Sequence, residues 1–87
     1  MGTYQIEWKT SALRELKRLD RQVVPRIVTA VESLTIQPLP AGVSKLQGSQ
    51  RTYRIRVGNY RVIYELYESR LVVEVVRVRH RKDAYRG

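Results

Sequence analysis

Thr52-Tyr53-Arg54-Ile55-Arg56-Val57-Gly58-Asn59-Tyr60-Arg61-Val62-Ile63-Tyr64-Glu65-Leu66-Tyr67 is the stretch that decides the fold. Apolar and polar side chains alternate through Thr52–Val57 and Tyr60–Tyr67, the period of a strand with one buried face. Between them Gly58-Asn59 is a two-residue hairpin signal with glycine first, as a type II′ turn requires. Such a turn sets the register, so cross-strand neighbours can be named. Val57 faces Tyr60, Ile55 faces Val62 and Tyr53 faces Tyr64, on the apolar face. On the other face Arg56 lies across from Arg61, with Arg54 beside Ile63. Like charges in that position are destabilising, because their Cβ atoms are only about 4.5–5.5 Å apart.

Outward from the hairpin, Leu71–Val78 reads as a third strand, β-branched almost throughout. Upstream, Lys45-Leu46-Gln47-Gly48 reads as a loop anchored by Leu46, and Pro38-Leu39-Pro40-Ala41-Gly42 ends a helix and opens that loop. The helix carries Val24, Ile27, Val28, Val31 and Leu34 at a period near 3.6. Pro25 belongs in its first turn, where a missing N–H is tolerated, which places the start near Gln22. A preceding helix has Ala12, Leu13, Leu16 and Leu19 as its stripe, with Thr10 or Ser11 as a candidate cap. Tyr4–Trp8 alternates as a short strand. The expected fold is α+β, ordered β-α-α-β-β-β, with two N-terminal helices packed on one face of a small, mainly antiparallel sheet. Residues 1–87 are expected to form a single domain.

Composition narrows the functional classes. The 87 residues hold 17 Lys+Arg against 8 Asp+Glu, a formal net charge of +9. Without cysteine and with one histidine, there is no disulfide framework, no thiolate metal site and no histidine pair. No cofactor and no metal are expected. No apolar run exceeds three residues, too short for a membrane span or a signal-peptide core, so a cytoplasmic protein is expected.

The charge is unevenly spread. Up to Ser44 the net is +2, from six Lys/Arg and four acids; beyond it the net is +7, from eleven and four. Thirteen of the seventeen bases are arginine, and five of the six tyrosines lie in the more basic half. Guanidinium matches phosphate oxygens bidentately and stacks on bases, which an ammonium cannot do. Nucleic acid is therefore the partner class the charge favours. A merely solvated face would mix signs, whereas Arg54, Arg56 and Arg61 gather one sign at a cost in stability; a phosphate would complete the site. The segment Arg77-Val78-Arg79-His80-Arg81-Lys82 reads either as a basic arm or as the sheet's edge, and Tyr85 beyond it could stack on a base. Trp8, Tyr4, Tyr53 and Tyr64 fit core packing.

Three motifs in order, Lys45-Leu46-Gln47-Gly48, Tyr53-Arg54-Ile55-Arg56-Val57-Gly58-Asn59-Tyr60-Arg61-Val62-Ile63-Tyr64 and Val78-Arg79-His80-Arg81-Lys82-Asp83-Ala84-Tyr85, resemble the RelE branch of the RelE/ParE toxin superfamily. The similarity covers essentially the whole chain. The resemblance implies a type II toxin–antitoxin toxin that enters the 30S A site of the ribosome, cuts mRNA there without a metal, and is neutralised by a cognate antitoxin protein. Oligomers would then arise through the antitoxin complex. By position, Arg54 and Arg56 correspond to the family's paired basic residues, Arg61 to the central-strand arginine, Arg81 to the arginine after the last strand, and Tyr85 to the C-terminal tyrosine. The pair is often lysine in the family; here both are arginine, which keeps the phosphate grip but is a poor proton acceptor.

Metal-free RNA cleavage uses the 2′-hydroxyl as nucleophile and leaves a 2′,3′-cyclic phosphate and a 5′-hydroxyl. Arg54, Arg56 and Arg61 could stabilise the charge that develops at phosphorus, and Arg81 could contact the departing oxygen. His80 is of the type that titrates near neutrality, yet an unbroken strand would turn it away from Arg79 and Arg81, so catalytic and structural roles both stand. Lys45, Arg77, Arg79 and Lys82 are expected to bind the RNA backbone. Two other readings share much of this pattern: a ParE-like gyrase inhibitor without nuclease activity, and a non-catalytic nucleic-acid-binding module.

Overall fold

The computed structural model describes residues 3–82; Asp83, Ala84 and Tyr85 lie outside the described residues. Strand β1 (Gln5–Trp8) leads into helix α1 (Thr10–Lys17) and helix α2 (Val24–Glu32), which a 3₁₀ turn at Ser33–Thr35 prolongs. Strands β2 (Ser44–Lys45), β3 (Thr52–Val57), β4 (Tyr60–Tyr67) and β5 (Val72–His80) follow. One five-stranded sheet results, in the order β1-β5-β4-β3-β2, antiparallel except where β1 runs parallel to β5. The α+β fold with two helices on one sheet face is as the residues predict, and the hairpin pairs match the expected register one for one. Of the two turn residues only Gly58 has positive φ (59°), as a type II′ turn demands.

Some boundaries differ, for local reasons. A fifth strand, β2, pairs Ser44 with Arg54 and Lys45 with Tyr53; two residues carry no readable period, so the segment resembled a loop. Neither Thr10 nor Ser11 caps α1. Lys9 occupies the N-cap without a side-chain bond, and Ser11 Oγ instead donates to the Val76 carbonyl at 3.3 Å. Helix α2 begins at Val24, two residues beyond Gln22, after a turn in which the Val23 and Val24 amides both donate to the Asp20 carbonyl. Strand β5 continues through Arg79 and His80, so that part of the basic segment is no arm.

The core forms where the helices meet the sheet. Ala12 and Leu16 of α1, Ile27 and Val31 of α2, and Leu34 pack on Ile55, Val62, Tyr64, Leu66, Val73, Val75 and Val78. Tyr4, Trp8 and Tyr53 are partly buried against this cluster. Leu13, read as part of the α1 stripe, is 37% exposed and lies outside it. Val73, Val75 and Val78 cannot share a face in a regular strand. The pairing moves from Tyr64↔Val75 to Ile63↔Arg77, leaving Val76 as an extra residue in a bulge. A bulge of one residue shifts the side-chain phase by one. Val78 is thereby turned inward, and Arg77 and Arg79 go to the face away from the helices.

Tyr64 is fully buried and its hydroxyl donates to the Pro38 carbonyl at 2.6 Å, tying the loop after α2 to the sheet. Burial, with a smaller effect from Tyr53, pushes the Tyr64 phenol up to about 12 from 10. The folded state holds this proton more tightly than the unfolded chain, so its contribution is intact below pH 10 and is lost as pH rises towards 12. Wild-type protein should lose roughly 3 kcal/mol across that window through this group, from the two-unit shift. Tyr64→Phe should lack that component while losing about 1 kcal/mol at neutral pH with its hydrogen bond. Urea unfolding at stepped pH measures both.

Candidate nucleic-acid interface

The register that aligns the core also aligns the arginines. Arg56 of β3 pairs with Arg61 of β4, and Arg61 pairs on its other side with Arg79 of β5. Three guanidinium-bearing residues thus form one row across three strands, about 10 Å long at normal strand spacing. Two residues along, Arg54 and Arg77 flank Ile63 in the same way. Arg61, in the middle, is 9% exposed, whereas Arg56 is exposed to solvent. The same face changes sign farther along: Glu65 pairs with Glu74, and Glu74 with Glu7. It is basic at the hairpin end and acidic at the other. At the acidic end Tyr67 donates to Glu65 at 2.6 Å, which raises its phenol above the usual range, while Arg51 and Arg70 lie over its ring.

The hairpin tip extends the basic end. The Arg81 amide donates to the Asn59 carbonyl at 2.7 Å, which holds Arg81 beside the turn. A cavity of about 170 Å³ opens there, lined by Arg56, Gly58, Asn59, Tyr60, Arg61 and Arg81. A Cβ on Gly58 would come within 3.2 Å of Arg26 Nη2, so α2 places one more guanidinium beside the turn. Among the described residues, no carboxylate lies within ion-pair distance of Arg54, Arg56 or Arg81.

The other expected residues are placed differently. Arg77 and Arg79 share a carboxylate, Glu15 of α1, at 3.5 and 3.7 Å. Lys45 pairs with Tyr53, its Nζ 6.0 Å from that ring, and so sits on the face opposite the row. His80 pairs with Tyr60, the rings edge to face at 5.0 Å, again opposite the row. Its Nδ1 accepts the exposed Lys82 amide at 3.1 Å, so neutral His80 carries its proton on Nε2 and presents a donor there. Tyr85 lies outside the described residues. Sequence reasoning missed Arg26, Glu15 and the alignment of Arg79 with Arg61. The first two arise from tertiary contacts; the third had a signal in Val75-Val76, where the two-residue period breaks.

A helix-backed sheet with an arginine-lined cavity at one end of its open face defines a small, basic α+β protein. Comparison with known proteins places it in a family. The model of the ParE toxin of the type II toxin–antitoxin system parDE matches residues 6–85. The toxin RelG of Mycobacterium tuberculosis is 31% identical over 84 residues, covering 95% of this chain and 97% of that protein. The RelE–RelB complex of Pyrococcus horikoshii superposes with a TM-score of 0.82 at 27% identity, over 98% of this chain and 99% of that one. The RelBE2 toxin–antitoxin complex of M. tuberculosis gives 0.80 at 27% identity, over 91% and 99%. The chain belongs to the RelE/ParE superfamily of type II toxin–antitoxin toxins, on its RelE-like branch.

The arginine row has a cost that can be measured. Arg56→Thr removes a like charge opposite Arg61 and should stabilise the fold by about 0.2–1 kcal/mol in urea titration.

Proposed function

We propose that this chain is the toxin of a type II pair and arrests growth by cleaving mRNA in the 30S A site of the ribosome, acting in the cytoplasm. The reaction is metal-independent attack of the 2′-hydroxyl on the adjacent phosphate. The observation that carries this reading is the cavity lined by Arg56, Arg61 and Arg81, a concave site with three arginines at the end of an open sheet face. Fixed cations beside phosphorus stabilise the charge that accumulates in the transition state without reorganisation during the reaction. Arg56 and Arg61 are assigned to the non-bridging oxygens, Arg81 to the departing 5′-oxygen, and Arg54 to the flanking backbone. Arg79 extends the row, Arg77 and Lys82 serve the RNA backbone beyond it, and Tyr85 stacks on a base. The ribosome supplies much of the alignment of the 2′-hydroxyl, which lowers what this chain must provide.

The partner proposed is a cognate antitoxin, as in the P. horikoshii and M. tuberculosis complexes. An acidic or amphipathic segment folding onto the basic end would mask the arginines sterically and electrostatically. The match to the ParE family favours a second reading, gyrase inhibition without RNA cleavage.

Induction in cells, followed by primer extension on mRNA and by plasmid supercoiling, separates the two. Cleavage within codons before any change in supercoiling is expected; the reverse order overturns the nuclease reading. Arg81→Ala, at an exposed position, should lower cleavage by about 10²–10³ with the fold intact by circular dichroism.

A further inference from the structure

Strand β5 outruns its parallel partner. Strand β1 pairs with Val72 to Val75, yet β5 continues to His80, leaving an edge that another strand would normally cover. Helix α1 covers it with side chains. Ser11 and Glu15, four residues apart and hence on one helix face, reach consecutive polar groups of that edge. Ser11 Oγ donates to the Val76 carbonyl, and Glu15 Oε1 accepts the Val78 amide at 2.9 Å. The second Glu15 oxygen, Oε2, is left to face Arg77 Nη1 at 3.5 Å and Arg79 Nε at 3.7 Å.

We infer that Glu15 is a positioning residue for the arginine row, acting through Arg79; the inference rests on the RNA-cleaving reading above. A guanidinium is a planar fork of five N–H donors. At 3.7 Å the Nε contact is an ion pair, longer than a hydrogen bond; it draws that edge of the fork towards Glu15 and leaves the two Nη groups for an anion, and among the described residues no carboxylate engages them. Without that contact a half-exposed arginine on a strand would spread over its rotamers, and ordering it again would oppose binding. Arg79 stands directly opposite Arg61, and Glu15 holds its guanidinium at the free edge of β5, so this contact sets how the outer end of the row meets an anion. One carboxylate shared by two arginines leaves this rim positive. The two oxygens divide the work: Oε1 closes the sheet edge, and Oε2 holds the guanidinium.

Glu15→Gln separates these tasks. Its amide oxygen can still accept the Val78 N–H, but an NH₂ replaces the oxygen that Arg79 needs. In the full-length variant, the Val78 amide should stay protected from hydrogen exchange while the Arg79 Nε–H signal loses its order in ¹⁵N relaxation. Cleavage of ribosome-bound mRNA should show KM raised about tenfold with kcat little changed, because the cost of ordering Arg79 falls on binding. Adding Glu15→Gln to Arg79→Ala should change nothing further. A purely structural Glu15 predicts an equal loss of rate in the Arg79→Ala background, or unchanged order of the Arg79 Nε–H in Glu15→Gln. Either result overturns the inference. If wild-type protein cleaves no mRNA, the nuclease reading fails instead, and the relaxation data still decide whether Glu15 orients Arg79.

Discussion

Repulsion between arginines on neighbouring strands is the constraint to which the rest of this structure answers. Arg56, Arg61 and Arg79 stand one strand apart in a single row, an arrangement of like charges that Glu15 offsets only at the Arg79 end. The repulsion is met from beneath. On the reverse of the same strands Ile55, Val62 and Val78 are buried under the helices, and each lies next in sequence to a member of the row. Separating the charges would mean withdrawing those side chains from the core, which is worth about 1.5–3 kcal/mol for each such side chain. The row persists because the apolar face is stronger than the repulsion.

Two backbone devices put the charges in register. The type II′ turn at Gly58-Asn59 sets Arg56 against Arg61, and the bulge at Val76 sets Arg79 against Arg61. Without the bulge, Val73 and Val75 would keep the core face, and Arg77 and Arg79 would be driven into the core beside them. One extra residue converts a conflict between a valine-rich strand and its basic end into a sheet with a greasy side and a charged side. The turn also has Arg81 and Arg26 at the same tip, one held by a backbone hydrogen bond and one placed beside Gly58 by α2.

The open face is not uniformly basic, and this shapes what it can receive. Glu7, Glu65 and Glu74 occupy the end away from the hairpin, so the field of this face favours an anion at the hairpin end. Glu15 adds a counter-charge at the rim without entering the cavity. Sign and position together favour a short anionic contact at the hairpin end over a long track along the strands.

The hairpin and the opposition of Arg56 to Arg61 were legible in the residues, because a two-residue turn leaves one register and alternation then assigns every side chain to a face. The α2 stripe was legible for the same kind of reason, since its period is local. The short β2, the true start of α2 and the uncapped start of α1 were not, because each is decided by a few hydrogen bonds with no repeating pattern behind them. Lys45 was grouped with the site, yet pairing with Tyr53 turns it to the opposite face, whereas strand alternation had already turned His80 away from Arg79 and Arg81, as its pairing with Tyr60 shows.

The sequence by itself determined the class of fold, the surplus of arginine and the central pair of the row, all of which follow from near-neighbour periodicity and charge. Only the tertiary structure decided that Arg79 completes the row, that Arg26 joins the tip, and that Glu15 reaches Arg77 and Arg79 from a helix 63 residues before Val78. The physical reason is that these contacts depend on which strand lies beside which and on where β1 stops, and neither has a local signature in the chain.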